Sequence, residues 1–260
     1  MIRKLTKHDD EIVMSFLGDE PSINLFIIGD LEAFGYETDF QELWGEFTNT
    51  GELKAVLLRF HQSFIPYAKG SFDIEKFGEI MKSYSPKPIL SGKQEIVEQF
   101  ESLLEIAPGR KQVTYFAECR TDYNLDTPQL PIQIARITDV DQIMELRSTI
   151  DEFSLNDSTR KMLIQAMETK TGRTYYLEES GKFIACASTT AENTMSAMIV
   201  GVCTYKNFRQ RGLATEILQK MVKDVLNEGK ILCLFYDNPA AGRIYKRLGF
   251  QDIGMWTMYR

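Results

Sequence analysis

The run SAMIVGVCT at residues 196–204 is almost continuously apolar and leads directly into a basic turn and an amphipathic helix. A strand of this composition is buried on both faces, so it belongs in the middle of a sheet. Gly229 stands where the left-handed residue that ends the helix is expected. One face of the helix carries Ile217, Leu218, Met221, Val222, Val225 and Leu226. Residues 209–214 are therefore predicted to form a strand-to-helix turn.

The predicted elements follow a similar order in the two halves of the chain. Near 1–17 the first half has a helical lead-in, followed by strands at 42–47, 53–60 and 63–68, a helix at 72–81, a strand at 88–90, a second apolar stripe that ends at Leu104, and a strand at 112–118. The second half has a strand at 132–137, a helix from about 139, strands at 174–178, 183–190 and 197–204, a helix, a strand at 231–236, a helix, and a strand at 250–258. This repetition predicts one α/β (α+β) architecture used twice, each copy with a mixed sheet covered by helices.

A polar, proline-containing stretch at 121–131 separates the two patterned regions and is interpreted as a linker between domains at 1–120 and 132–260. Residues 1–130 contain 13 Lys and Arg against 22 Asp and Glu, whereas residues 131–260 contain 17 against 15. An acidic first half argues against a general nucleic-acid binder, which needs clustered cations. An anionic ligand is therefore expected in the second half.

Cysteine and histidine usage disfavours a metal site. The four cysteines are far apart in sequence, and the chain has only 2 histidines. Because no apolar run approaches the roughly 20 residues that span a bilayer, we expect no membrane segment and a cytoplasmic protein with reduced thiols.

The turn at 209–214 suits a phosphate ligand. The start of a helix presents unpaired N–H groups at the positive end of the helix dipole, and small residues such as Gly212 and Ala214 let a diphosphate approach the backbone. The sequence has neither the Gly-Lys-Ser/Thr of a P-loop nor the G-x-G-x-x-G of a dinucleotide fold here. By itself, Arg-x-x-Gly-x-Ala also fits a solvated basic loop that caps a core helix.

A second motif follows the strand at 231–236. Asn238 is a natural N-cap, Pro239 suits the first helical position, and Gly249 suits the end of the helix. Every residue of this motif has a structural explanation, and Tyr245 is also a candidate catalytic acid.

Taken together, the two motifs resemble the GCN5-related N-acetyltransferase (GNAT) superfamily over roughly residues 131–260. The resemblance implies acetyl-CoA as the acyl donor, with Val202, Cys203 and Thr204 along its pantetheine arm, where Asn238 would also make contact. It implies that the diphosphate is held by Arg209, Gln210, Arg211, Gly212, Leu213, Ala214 and Thr215. Tyr245 would stand beside the thioester sulfur.

The implied activity is direct acetyl transfer to a primary amine of a small molecule or peptide within a ternary complex. A backbone N–H near Val202 would stabilise the oxyanion, and Tyr245 would protonate the leaving thiolate. Glu192, in a turn between two predicted strands, is the candidate general base. The acceptor pocket is expected to draw on the irregular stretch 150–163 and on the first lobe.

The first half lacks the Arg-x-x-Gly-x-Ala motif, because only Lys69, Gly70 and Ser71 separate its third strand from the next helix. It therefore resembles a degenerate GNAT-like lobe of a two-lobed acetyltransferase, without a second CoA site. Two other functions remain open. One is a non-catalytic acyl-CoA-binding regulatory module, and the other is an RNA-binding patch, which the acidic first half disfavours. The acceptor and the choice between monomer and homodimer cannot be read from the sequence.

Overall fold

The computed structural model describes residues 1–103, 109–123, 125–153 and 155–260. Its strands are β1 (Ile2–Lys4), β2 (Gln41–Phe47), β3 (Leu53–Phe60), β4 (Ser63–Ala68), β5 (Ile89–Lys93), β6 (Lys111–Cys119), β7 (Gln133–Ile134), β8 (Thr174–Glu179), β9 (Lys182–Thr190), β10 (Ser196–Thr204), β11 (Ile231–Tyr236) and β12 (Gln251–Tyr259). Its α-helices are α1 (Asp10–Gly18), α2 (Leu25–Phe34), α3 (Ile74–Tyr84), α4 (Gln94–Val97), α5 (Val140–Ser148), α6 (Asp157–Glu168), α7 (Leu213–Asn227) and α8 (Pro239–Arg247).

The chain forms two compact units, unit 1 (Met1–Phe116 with Ile253–Arg260) and unit 2 (Ala117–Asp252). The predicted domains, 1–120 and 132–260 around a linker at 121–131, differ from these units chiefly at the C-terminal end. The cause is strand pairing, because the last strand of the chain pairs with β5 in unit 1.

The sheet of unit 1 has the strand order β1-β2-β3-β4-β5-β12. The pairs are antiparallel except for β4 and β5, which are parallel. Trp256 of β12 is almost fully buried, with its ring centroid 5.9 Å from that of Phe26 in α2 and 5.5 Å from that of Phe116 in β6. Its indole therefore anchors the C-terminal strand in the core of unit 1.

In unit 2, strands β7 to β10 pair antiparallel in sequence order, and β11 joins β10 in parallel. Alternate strand residues face opposite sides, as the pleat requires. Tyr175 belongs to the apolar cluster around α7, whereas its neighbour Tyr176 belongs to the cluster around α5. Both faces of this sheet are thus covered by helices, which explains the continuously apolar β10.

The mixed α/β architecture predicted from the sequence is confirmed, and the order β-α-α-β-β-β-α-β-α-β occurs once in β1–β6 and again in β7–β12. That the first copy is a degenerate GNAT lobe stays a prediction. The expected strand at 132–137 is only two residues long, Gln133–Ile134. The second apolar stripe of the first half forms α4 and a 3-10 turn at Glu98–Ser102, while Leu104 lies outside the described residues.

Two helices were not predicted. Helix α2 is apolar nearly all round, so it carries little periodic signal. Helix α6 occupies much of the stretch 150–163 that was expected to be irregular, and the expectation was wrong there. None of its residues is buried, and its start is fixed by Asn156, whose side chain accepts a hydrogen bond from the N–H of Thr159. Asn156 was thus the residue in the sequence that could have predicted the start of this helix.

One carboxyl of unit 1 should make stability depend on pH. Burial raises the pKa of Asp30, in α2, to about 7. The unfolded carboxyl ionises near pH 4, so the folded state binds more protons between pH 4 and 7 and the wild type loses stability as pH rises through that range. Asp30→Asn should therefore stabilise the protein above pH 7 by roughly 2–4 kcal/mol, with little gain at pH 4.

Urea unfolding of both proteins across this pH range measures the effect. The exposed Asp39→Asn is the matched control and should leave the pH dependence unchanged. An equal effect of Asp30→Asn at pH 4 and pH 8 would contradict a buried, protonated carboxyl.

Candidate active site

Strands β10 and β11 stop pairing partway along β10, and we call the space between them beyond that point the cleft. The two strands pair in parallel from Ser196 with Ile231 to Ile199 with Leu234, and among the described residues the ladder ends there. Strand β10 continues to Thr204, and Val200 is 38% exposed although it lies in a central strand. The separation leaves one edge of β10 available for an extended ligand.

The same segment of β10 contains a bulge. Its register with β9 shifts between Val200, which pairs with Ser188, and Cys203, which pairs with Cys186. Two residues of β10, Gly201 and Val202, thus stand opposite the single residue Ala187. Gly201 has a φ of 62°, a conformation that glycine adopts without strain. Glycine within the apolar run was the sequence signal for this bulge.

The turn after β10 ends in an open helix start. Gln210 has a φ of 64° and Gly212 a φ of 77°, and α7 begins at Leu213. Gly212 is the N-cap, and among the described residues no side chain makes a capping hydrogen bond at the start of α7. A Cβ at Gly212 would meet nothing within 4 Å, and we call this unfilled position at the start of α7 the opening. Residues 209–215, predicted from the sequence to hold the diphosphate, make up this turn and the first residues of α7.

Two exposed cations flank this opening. The Nε of Arg209 donates to the carbonyl of Thr204 at 3.3 Å. The guanidinium of Arg211 lies 4.9 Å from the ring centroid of Phe208 and donates to the carbonyl of Asn207 at 3.4 Å. Neither arginine forms an ion pair with a carboxylate in the part of the chain that the structure describes. Both positive charges therefore remain available to an anion.

The corresponding helix start in unit 1 is occupied by carboxylates. Asp73 caps α3 by accepting from the N–H of Lys76 at 2.9 Å. Glu46, which also pairs with Lys54 at 2.7 Å, accepts from the N–H of Asp73 at 2.8 Å. Negative charge at this position repels a diphosphate, which favours the prediction that unit 1 has no CoA site.

Asn238 and Tyr245 follow β11 in the chain, Asn238 as the N-cap of α8 and Tyr245 within that helix. The side-chain oxygen of Asn238 caps α8 by accepting from the N–H of Ala240 at 2.8 Å. The half-buried ring of Tyr245 lies beside Tyr236 at the end of β11 and beside Phe250, with centroid distances of 5.9 and 6.0 Å. Burial raises the pKa of Tyr245 above its ordinary value. Its hydroxyl makes no hydrogen bond to the described residues, so the proton is free to be donated to a ligand.

Glu192 lies in the connection before β10, at the opposite end of this strand from the turn. Its carboxylate is buried and accepts from Arg173 at 2.9 and 2.6 Å, and it also accepts from the hydroxyl of Thr189. The Nζ of Lys230 lies 3.5 Å from the Oε2 of Glu192. Its role as a base stays a prediction, which these contacts do not favour.

The thiols of Cys203 and Cys233 are poor nucleophiles. The Sγ of Cys203 lies 3.5 Å from that of Cys186, and this contact, together with burial, raises the pKa of Cys203. Cys233 is fully buried in β11. Protonated, buried thiols pack as small hydrophobic groups.

A cavity of about 380 Å³ lies on the α5 side of the sheet in unit 2. It is lined by Gln142, Glu145, Leu146, Thr149, Glu179, Ser180, Lys182, Phe183, Ile184, Tyr205 and Phe208. None of the described residues at 150–163, where acceptor-pocket residues were expected, lines this cavity. Arg147, a buried residue of α5, was not predicted as a site residue. The sequence feature that could have indicated it is the position of this charged residue, four residues after Ile143 and therefore on the apolar face of the helix.

Within the described ranges, no group of three or more His, Cys, Asp or Glu side chains is arranged to hold a metal ion. In the same ranges, the helices are all too short or too polar to cross a bilayer.

Comparison with known proteins agrees with this geometry. Residues 140–250 match the model of the acetyltransferase (GNAT) family. The comparison with curated proteins finds no match.

Several solved structures share the fold at low sequence identity. A GCN5-related N-acetyltransferase from Sphaerobacter thermophilus is 15% identical with a TM-score of 0.60, over 100% of this chain and 94% of that one. A GCN5-related N-acetyltransferase-like protein from Streptococcus suis is 16% identical with a TM-score of 0.59, over 98% and 99%. A tandem GNAT protein from the clavulanic acid biosynthesis pathway is 14% identical with a TM-score of 0.57, over 99% and 97%.

The contacts of Glu192 predict a loss of stability when its charge is removed. Glu192→Gln leaves Arg173 with Glu228 as its remaining carboxylate partner, so the free energy of unfolding should fall by roughly 1–3 kcal/mol. Glu179→Gln, at an exposed carboxylate, is the control and should change it by less than about 0.5 kcal/mol. Denaturant unfolding measures both, and an unchanged stability for Glu192→Gln would contradict the structural role.

Proposed function

Because residues 140–250 carry a GNAT domain, we propose that the protein is an N-acetyltransferase that uses acetyl-CoA and a primary amine in a ternary complex. The observation that carries the proposal is that β10, within the described residues, is no longer paired with β11 beyond Ile199 and then leads to the start of α7, where the N-cap is a glycine. An extended ligand with a diphosphate at one end fits both features at once.

The diphosphate would be bound by the N–H groups of residues 210–215. They lie at the positive end of the α7 dipole, and Gly212 and Ala214 leave room for close approach. Arg209 and Arg211 add positive charge, and exposed guanidinium groups suit phosphate oxygens. The pantetheine arm would pair with the free edge of β10 at Val202, Cys203 and Thr204. The amide nitrogen of Asn238 would donate to it, because its oxygen already caps α8.

The bulge at Gly201 and Val202 would set the position of the reacting thioester. An N–H group of Val202 directed at the thioester oxygen would stabilise the negative charge that develops there when the amine attacks. As the C–S bond breaks, Tyr245 would donate its phenolic proton to the thiolate. Burial supports this role because a raised pKa keeps the phenol protonated.

The amine must lose a proton before it attacks. An alkyl amine with a pKa near 10.4 pays about 4 kcal/mol for this at neutral pH. The carboxylate of Glu192 already accepts two hydrogen bonds from Arg173. We therefore propose that water relays this proton from the acceptor to solvent. The cytoplasm is the proposed compartment, which fits four cysteines in the reduced thiol form.

The decisive experiment combines acetyl-CoA binding by calorimetry with a thiol assay for CoA release over a panel of primary amines. Saturable binding with amine-dependent CoA release supports the acetyltransferase. Binding without release for any amine would favour the acyl-CoA-binding regulatory module, and absence of binding would refute both.

Tyr245→Phe removes the proton that the thiolate requires and keeps the aromatic packing. We expect kcat to fall roughly 10- to 100-fold, since general acid catalysis typically contributes about 100-fold or more, while the Kd for acetyl-CoA stays within about twofold. Tyr123→Phe, at a residue that is 91% exposed, serves as the control. An unchanged kcat would remove Tyr245 from the mechanism.

Gly212→Asp places a carboxylate in front of the N–H groups of α7. We expect the Kd for acetyl-CoA to rise on the order of 100-fold, because like charges then face each other at the diphosphate. Gly51→Asp is a matched control, since Gly51 also has a positive φ, 87°, and open space around its Cβ position. Equal affinities for the two variants would contradict diphosphate binding at this turn.

A further inference from the structure

Unit 2 contains a buried arginine without an acidic partner. Arg147 of α5 is 6% exposed and lies against the α5 side of the sheet. Among the described residues no carboxylate forms an ion pair with it, whereas the other strongly buried arginine, Arg59, pairs with Glu42 at 2.9 Å. A guanidinium stays charged even when it is buried, and a buried charge without an oppositely charged partner is costly. The lack of a carboxylate beside Arg147 therefore requires an explanation.

The hydrogen bonds of Arg147 use only part of its capacity. Its Nη2 donates to the Oγ of Ser188 at 2.6 Å, and this hydroxyl is held by the Oγ1 of Thr174 at 2.6 Å. Its Nε is buried and has no partner. The guanidinium is therefore held in place along one edge and retains an unused donor on another.

Arg147 lies directly at the bulge of β10. A Cβ built on Gly201 would stand 2.5 Å from its Nη2 and 2.8 Å from its Cζ, so the guanidinium fills the position of a side chain at 201. Val202, the proposed oxyanion donor, is the next residue. Leu146 of the same helix and Thr149, its C-cap, line the cavity of about 380 Å³, whereas the buried Arg147 is not one of its lining residues.

Among the described residues, the groups around the guanidinium include no carboxylate that could balance its charge. Its surroundings are the apolar cluster of α5, which includes Ile143, Ile150 and the thiols of Cys186 and Cys203. The contact with Cys203, with a further contribution from Arg147, lowers the pKa of Cys186. In the part of the chain that the structure describes, a Cys186 thiolate is therefore the internal anion that we test against an external ligand.

We propose that Arg147 binds a carboxylate of the substrate, so that the enzyme acts on a carboxylate-bearing amine or transfers a carboxylate-bearing acyl group. This inference rests on the proposed acyl transfer at the bulge. The unused Nε, together with Nη2, offers the planar pair of donors that a carboxylate accepts. Arg147 takes no part in bond making; it binds and orients the substrate.

The two sources of the carboxylate are separated by matched substrates. For the amine, acetyl-CoA is assayed with glycine against glycinamide, β-alanine against its amide, and phenylalanine against phenylalaninamide and phenethylamine. For the acyl group, malonyl-CoA and succinyl-CoA are compared with acetyl-CoA, with phenethylamine as acceptor. The amides are less basic and easier to deprotonate, so a preference for the acids cannot come from amine basicity.

In the wild type we expect one of the two series to favour the carboxylate-bearing compound in kcat/KM, on the order of 100-fold. Arg147→Gln should abolish that preference, and Arg147→Lys should retain part of it because the charge remains. Arg160→Gln, at an exposed arginine of α6, is the control and should preserve the preference. No preference in either wild-type series, or the same preference in Arg147→Gln, would overturn the proposal.

Cys186→Ser tests the internal alternative. If a substrate carboxylate is the partner of Arg147, this variant keeps the preference. If the thiolate is the partner, the variant should lose stability as much as Arg147→Gln does, and the wild type should show no preference.

Binding measurements keep this inference separate from the proposed function. The same acids and amides are titrated calorimetrically into the protein with and without CoA, so turnover is not required. If Arg147→Gln unfolds, the wild-type series and Arg147→Lys still decide. Absence of CoA binding would refute the proposed function, whereas tighter binding of an acid than of its amide would still support the carboxylate site.

Discussion

The separation of β10 from β11 is the constraint on which the site depends. Parallel strands that stay paired leave no edge for a ligand, and here the ladder stops at Ile199 and Leu234 while β10 runs on to Thr204. The bulge at Gly201 bends the strand at the same place. The proposed binding of the thioester depends on these two irregularities, because they leave backbone N–H and C=O groups without the hydrogen bonds that a regular sheet would form.

A comparison of the two units shows how one element order yields different chemistry. Both units place a helix after the fourth strand of an antiparallel run and then a strand that pairs in parallel with that fourth strand. In unit 2 the helix start is capped by a glycine and flanked by arginines, whereas in unit 1 Asp73 and Glu46 already accept from its N–H groups. A change of a few residues at one turn thus decides whether the helix dipole faces a ligand or the protein's own carboxylates.

Sequence periodicity predicted the strands well, because Leu53–Phe60, Ser63–Ala68 and Ile231–Tyr236 have the expected limits. It also placed the turn before α7, where glycine and arginine carry the signal. It could not predict the contacts of Glu192 or Arg147, since the partners of a charged residue lie on strands and helices that are far away in sequence. Nor could it assign the last strand to unit 1, because that requires knowing that Trp256 lies opposite Lys93.

The central claim is that acetyl-CoA binds along β10 with its diphosphate at the start of α7, and a crystal structure of the CoA complex tests it most directly. The account predicts diphosphate oxygens about 2.7–3.2 Å from the backbone nitrogens of Leu213, Ala214 or Thr215, and the CoA sulfur beside the hydroxyl of Tyr245. A coenzyme bound away from this turn, or crystals in which saturating CoA leaves it empty, would contradict the account.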